Sequence, residues 1–395
     1  MIYLDNAATT ALSMTVFQEM FPYLFEKYGN PGTVYRLGRE AKEAVDTARA
    51  RVAGFLNCDP EQVIFTAGGS DGNNLVINGL ADELTRKHRA SVLSSLGEHD
   101  SVYRTIQNRM WIKDKYFLQI NPDGTIRLKD LEAVLSRQEI GLVSVMYVNN
   151  ELDGVNDVKA IAELCHSYGT LFHTDAVQAA GAHPIDVQDI SCDFLTISSH
   201  KIHGPKGVGA VYAKDKSLLT PSVYGGENQE FGLRAGTENV PGIVGLGKAC
   251  DMIRQSEGST NRYKPWTFLP TLKRIFLAEL NAGLEEAGLS GVMHVNAGFD
   301  PFNPTGKTLS LRFDGVDSET MILMLDAADV CVSSGSACHG DRTKPSRVLL
   351  ASGLTPEQAN NTIRVSFSRL NDGSDVRTGA KEIVNCLKIL KGARS

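Results

Sequence analysis

Between about residues 60 and 215, short apolar or β-branched runs alternate with stretches whose apolar positions recur every three or four residues. The runs at 62–66, 91–96, 142–148, 170–173, 194–198 and 208–213 predict strands. Between two of them, Val158, Ile161, Ala162, Cys165 and Tyr168 fall on one helical face, and Gly169 supplies a C-terminal stop. Strand, helix, strand repeated in this way predicts an α/β layer around a largely parallel sheet. The polar stretch at 257–262 interrupts helical sequence on both sides and predicts a domain boundary. Beyond it, 309–313, 330–333 and 362–366 read as strands among helices, an α+β unit. No internal repeat or low-complexity segment interrupts this plan.

Composition narrows the picture. A chain of 395 residues is long for one ordinary core. With 40 Lys plus Arg against 46 Asp plus Glu, the net charge of -6 gives no general attraction to nucleic acid or an anionic membrane. The start Met1-Ile2-Tyr3-Leu4-Asp5-Asn6 lacks the basic and apolar run of a secretion signal, and no stretch has about 18 consecutive apolar residues, so a cytoplasmic protein is expected. Seven cysteines without a CxxC pair argue against a disulfide framework.

Several strand ends carry candidate chemistry. The segment from Val63 to Leu75, with Gly68-Gly69-Ser70 at its turn, runs from a strand into a helix and bares backbone N–H groups that suit a phosphate. It matches neither dinucleotide nor P-loop spacing, so an unliganded glycine-rich connection explains it equally well. Lys201, in Ser198-Ser199-His200-Lys201, follows the apolar run Phe194-Leu195-Thr196-Ile197, at the edge where α/β sheets bind ligands. Enclosed there, its amine can form a Schiff base with an aldehyde; alone, a loop lysine is merely solvated. Asp175 also falls at a strand end, where it could hold a pyridine nitrogen protonated or simply cap the next helix. Glu98-His99 and Asn149-Asn150-Glu151 converge similarly. In the last third, Cys338 sits in the small-residue segment Ser333-Ser334-Gly335-Ser336-Ala337-Cys338, a setting for a reactive thiol, with His339 to support a thiolate and Asp341 to oppose one. Arg364 lies within a predicted strand, as a carboxylate fork or as an ordinary salt bridge.

Taken together, these segments resemble the cysteine desulfurases of the NifS and IscS type, in the class V group of fold-type-I pyridoxal-phosphate enzymes. The resemblance runs over nearly the whole chain, from Tyr3-Leu4-Asp5-Asn6-Ala7-Ala8 and Gly29-Asn30-Pro31 through Arg234-Ala235-Gly236-Thr237 to Arg364. It implies a seven-stranded, mainly parallel sheet in a large domain (14–257), with 1–13 and 258–395 forming a smaller α+β domain that carries the cysteine loop. It also implies pyridoxal 5'-phosphate joined to Lys201. His99 would stack on the ring, Asp175 would pair with its nitrogen, and Gln178 and Asn150 would bond its phenolic oxygen. Gly69 N–H, Ser70, Ser198 and His200 would hold the phosphate, and Thr237 would reach the phosphate of the other subunit of a homodimer. Arg364, Asn150 and Asn30 would bind L-cysteine.

The implied reaction moves sulfur from L-cysteine to Cys338 as a persulfide, leaves alanine, and delivers the sulfur to an acceptor protein for iron–sulfur assembly or for tRNA or cofactor thiolation. A selenocysteine lyase, another class V aminotransferase and a non-catalytic sulfur-transfer scaffold are the rival readings. The chain departs from the family pattern at Phe231, where arginine is common, and at His339-Gly340-Asp341-Arg342.

Overall fold

The computed structural model describes residues 1–258, 265–297, 306–334 and 344–392. Thirteen strands form three sheets among these residues: β1 Ile2–Tyr3, β2 Val63–Thr66, β3 Ser91–Ser95, β4 Lys115–Leu118, β5 Ile140–Ser144, β6 Leu171–Asp175, β7 Phe194–Ser198, β8 Gly209–Ala213, β9 Met293–Val295, β10 Thr308–Phe313, β11 Val330–Cys331, β12 Ser333–Ser334 and β13 Thr362–Ser366.

Seven of them form one sheet in the order β2-β8-β7-β6-β5-β3-β4, parallel throughout except for β8, which runs against both neighbours. Apart from the edge strand β4, its strands are buried on both faces, which explains their continuous apolar character. Val63, Phe65, Leu93, Val143 and Leu195 pack on one side with helices Arg36–Leu56, Val158–Ser167 and Val240–Gly258. The alternate residues Ile64, Val92, Leu142, Phe194 and Val211 pack on the other with Gly69–Gly79 and Asp100–Asn108.

A four-stranded antiparallel sheet, β12-β13-β10-β9, packs with helices Pro265–Glu286, Ser318–Ala327 and Gly373–Leu390 around a separate core of Leu311, Phe313, Ile363, Val365, Phe276 and Ile383. Leu4 joins that core, because β1 pairs parallel with β11 and Asp5 bridges to Ser366. Asp153 ties the two sheets together: its buried carboxylate accepts from Lys273 Nζ at 2.8 Å and from the Lys307 and Thr308 backbone N–H groups at 3.2 Å.

The expected strand at 142–148 stops at Ser144. Val145 and Tyr147 still donate to His173 and Asp175 on one side, but the chain then turns through Asn149, whose Oδ1 accepts from the backbone N–H groups of Glu151 and Leu152. The edge strand β4 has no counterpart in the sequence reading: Lys115-Tyr116-Phe117-Leu118 is too short and too exposed to show alternation. The expected boundary overlaps residues 259–262, which lie outside the described residues, and the preceding helix continues to Gly258.

Candidate active site

Because β2, β3, β5, β6 and β7 share one direction, their carboxyl ends open on one edge of the sheet, beside the amino end of antiparallel β8. A cavity of about 910 Å³ lies there, lined by Gly69 and Ser70 after β2, His99 after β3, Asn150 after β5, Asp175 and Gln178 at the end of β6, and Ser198, His200 and Lys201 after β7. Arg364 of β13 and Ala7 and Ala8 of the N-terminal segment close it.

The turn after β2 depends on glycine. Gly68 has φ +148°, and a Cβ on Gly209 would meet the Gly68 backbone at 2.9 Å and Ile197 O at 2.7 Å. A Cβ on Gly69 would meet Val177 Cγ2 at 2.8 Å. The Asp71 carboxylate accepts from Ala67 N–H and from Arg234 Nε, both at 2.7 Å, and this steadies the first turn of the helix without using the Gly69 N–H.

Lys201 Nζ donates to Ala7 O at 2.6 Å and Ala8 O at 2.7 Å, so the N-terminal segment sets where the amine stands. Asp175 Oδ1 accepts from Val177 N–H at 2.9 Å, but the chain continues as a turn and not as the helix that the capping alternative expects, while Oδ2 accepts from Asn73 Nδ2 at 2.7 Å. A carboxylate retains further acceptor positions after two such bonds.

His99 caps the helix Asp100–Asn108, accepting Ser101 N–H on Nδ1 at 3.1 Å, which leaves Nε2 to carry the proton in the neutral ring. His200 is held well below the usual histidine range, at about 4, by burial and then by the charges of Lys201, Lys206 and Lys307. A neutral imidazole therefore faces the turn after β2. Burial raises Glu98 to about 8, and its Oε1 accepts from Ser95 Oγ at 2.7 Å and Met146 N–H at 3.1 Å.

Arg364 Nη2 donates to Asp5 at 3.0 Å and Nη1 donates to Asn150 O at 3.1 Å; its buried Nε has no partner among the described residues. Asn73 Oδ1, Asn150 Oδ1, Gln178 Oε1 and Ser198 Oγ are likewise buried without hydrogen-bond partners among the described residues, and all four belong to residues that line the cavity. Buried polar atoms are rarely left unmatched, so a polar guest fits this site better than a dry void.

Asn30 is not brought into the cavity: it is exposed, and its Oδ1 accepts from Gly32 N–H at 2.9 Å. Thr237 is also exposed and away from the cavity of its own chain. Cys338 and the residues from His339 to Arg342 lie outside the described residues. The chain enters that segment at Ser334, next to Ser333, which pairs with Arg364, and leaves it at Lys344, which lines the cavity. Of the other cysteines, Cys165, Cys192, Cys250 and Cys386 are buried and Cys58 and Cys331 partly so; burial pushes the Cys58 and Cys165 thiols up to about 12, which keeps them unreactive.

Sequence reasoning missed Asn73, Arg347 and Lys307 near the site. Arg347 donates to the backbone carbonyls of Leu96 and Glu98 and lies 3.8 Å from the Tyr103 ring centroid, locking the start of the helix Arg347–Ala351 onto the strand end that carries His99. Asn73 lies one helical turn after Gly69, a spacing that could have placed it beneath the turn.

The class-V aminotransferase family model matches residues 2–378. A protein named putative cysteine desulfurase IscS 1 from Bacillus subtilis strain 168 is 38% identical over 393 residues, covering 98% of this chain and 99% of the relative. Cysteine desulfurase IscS of Methanosarcina thermophila is 34% identical over 379 residues, covering 95% and 89%. Among solved structures, a NifS-like protein superposes with a TM-score of 0.86 at 28% identity, covering 98% of this chain and 99% of that one. SspA in complex with cysteine superposes at 0.76 with 30% identity, covering 93% and 99%.

Proposed function

Because this chain belongs to the class-V aminotransferase family, we propose that it is a cysteine desulfurase: it takes sulfur from L-cysteine, leaves L-alanine, and holds the sulfur as a persulfide on Cys338 for transfer to an acceptor protein. The observation that carries this reading is the Lys201 amine standing in a cavity with Asp175, His99 and Arg364, among buried polar atoms that lack partners.

Pyridoxal phosphate suits these residues and, when bound, supplies an aldehyde for the amine and an electron sink for the Cα carbanion. Lys201 would be its covalent anchor, Asp175 would keep the ring nitrogen protonated, and His99 would lie against the ring face. The orphan groups on Gln178 and Asn150 suit the ring oxygen. Gly69 N–H, Ser70, Ser198 and neutral His200 suit the phosphate at the helix N-terminus. In a homodimer, Thr237 of a second copy would complete that phosphate site.

The chain's own part of the reaction follows from the geometry. Arg364 offers a cationic N–H fork for the substrate carboxylate, positioned by Asp5 and the Asn150 carbonyl. The Ala7 and Ala8 carbonyls set the position of Lys201 Nζ, which would take the Cα proton of cysteine and return it to the product. The Cys338 thiolate would attack the substrate sulfur; the sulfur's bond to Cβ breaks, and the electron pair stays with the alanine skeleton.

The test is to incubate the purified protein with L-cysteine and measure alanine and protein-bound persulfide. Both should form in the parent protein. Lys201→Ala should make neither product, and Cys338→Ser should bind cofactor but carry no persulfide. Parent-level sulfide release by the serine variant would refute the role of Cys338.

A further inference from the structure

Lys201 also lines a second and much smaller cavity of about 30 Å³, which shares no other lining residue with the large one. Its polar lining comes from Thr10, Lys201, His203, Lys307, Ser368 and Arg369, and among the described residues no carboxylate lines it. Lys307 is buried, and among the described residues its ammonium makes no hydrogen bond or ion pair; the nearby Asp153 carboxylate takes its backbone N–H instead, together with the Lys273 ammonium. Arg369 is partly buried, and its buried Nη2 has no hydrogen-bond partner among the described residues. The Ser368 hydroxyl accepts from Leu370 N–H at 3.2 Å, which leaves its own O–H to donate.

Three donors, two of them cationic, thus share one small space with Lys201. A lysine so placed can shed its proton, but a guanidinium keeps its charge at any pH the protein survives. A water molecule could accept the N–H groups without balancing that charge, and an unbalanced buried charge is costly.

We propose that this cavity is a binding site for a monovalent anion of chloride size, held by Lys307, Arg369 and Ser368 beside the active lysine. The space admits about one water-sized particle, so sulfate and phosphate are excluded on volume. Burial and then the charge of Lys201 depress the Lys307 amine to about 7 against the opposing pull of the Asp153 carboxylate, which Lys273 already shares, and a bound anion favours its charged form. The anion would also shield Lys201 from two neighbouring positive charges. His203, held down to about 4 chiefly by burial and then by Arg369, would enter as a neutral ring.

The experiment uses bromide as the probe. Crystals of the cofactor-loaded protein grown in sodium bromide should show an anomalous peak in this cavity, in contact with Lys307 and Arg369. In solution at pH 7 and fixed ionic strength, replacing gluconate by bromide should raise the Tm of the parent by a few degrees and leave that of Lys307→Met unchanged. A cavity without an anomalous peak overturns the proposal even if Lys307→Met fails to fold. So does a bromide effect on Tm that is equal in parent and variant.

Discussion

Glu98→Gln should make the protein's stability less sensitive to pH. Glu98 is fully buried beneath the strand end that carries His99; burial is the main cause of its elevation from 4.5 to about 8, and Asp175 adds to it, while Ser95, Met146 N–H and Arg347 oppose it. A carboxyl raised in the folded state contributes stability that is complete below pH 4.5 and is lost as pH climbs towards 8, because the unfolded chain releases the proton first. Across that window the loss approaches roughly 5 kcal/mol, at about 1.4 kcal/mol per pKa unit. Glutamine keeps the Oε1 acceptor that Ser95 and Met146 use and cannot ionise. Urea unfolding of parent and variant between pH 5 and 9 should therefore give near-equal stability at pH 5, with the variant gaining steadily to about pH 8 and level above it. Other titrating groups, including Glu151 at about 7, cancel in the difference. A difference that stays flat from pH 5 to 9 would refute a neutral Glu98.

Arg364→Ala should raise the KM for L-cysteine about ten- to a hundredfold, the worth of a charge-assisted contact, in steady-state assays of alanine formation; an unchanged KM would remove Arg364 from substrate binding. Gly69→Ala, whose new methyl would meet Val177 at 2.8 Å, should lower the bound pyridoxal phosphate measured by absorbance after gel filtration, while the far-ultraviolet circular dichroism stays unchanged. Asn73→Ala takes away the 2.7 Å bond to Asp175 Oδ2 and should lower kcat more than it raises KM, because it disturbs a group set against the cofactor rather than the substrate.

The sheet was legible because its strands are apolar runs of standard length broken by polar turns, and 194–198 and 362–366 fall as predicted. Position in the cavity was legible where a residue follows or closes a strand, as at Lys201 after β7 and Asp175 at the end of β6. What stayed hidden depends on contacts far apart in the chain. Nothing local marks Ala7 and Ala8 as holding Lys201 through their carbonyls, since any residue offers a carbonyl. Lys307 reads as an ordinary solvated lysine until the fold buries it, and Arg347 reads as a helix residue until Tyr103 lies beneath it. The departure at Phe231 has a local account: its ring lies 3.7 Å from Lys216 Nζ and 5.1 Å from the Arg49 guanidinium, and Glu230 beside it pairs with Arg49 at 2.6 Å.

The pairing of Ile2 with Val330 and the bridge from Asp5 to Ser366 bear on the order in which the molecule is made. A ribosome delivers Ile2 to Asp5 well before Val330 and Ser366, against which they are laid. Residues 2–5 must therefore wait for partners made later than Lys201, and the segment that positions the lysine is anchored only once β11 and β13 exist. Premature stops before Val330 should yield a sheet that forms but an amine that nothing holds.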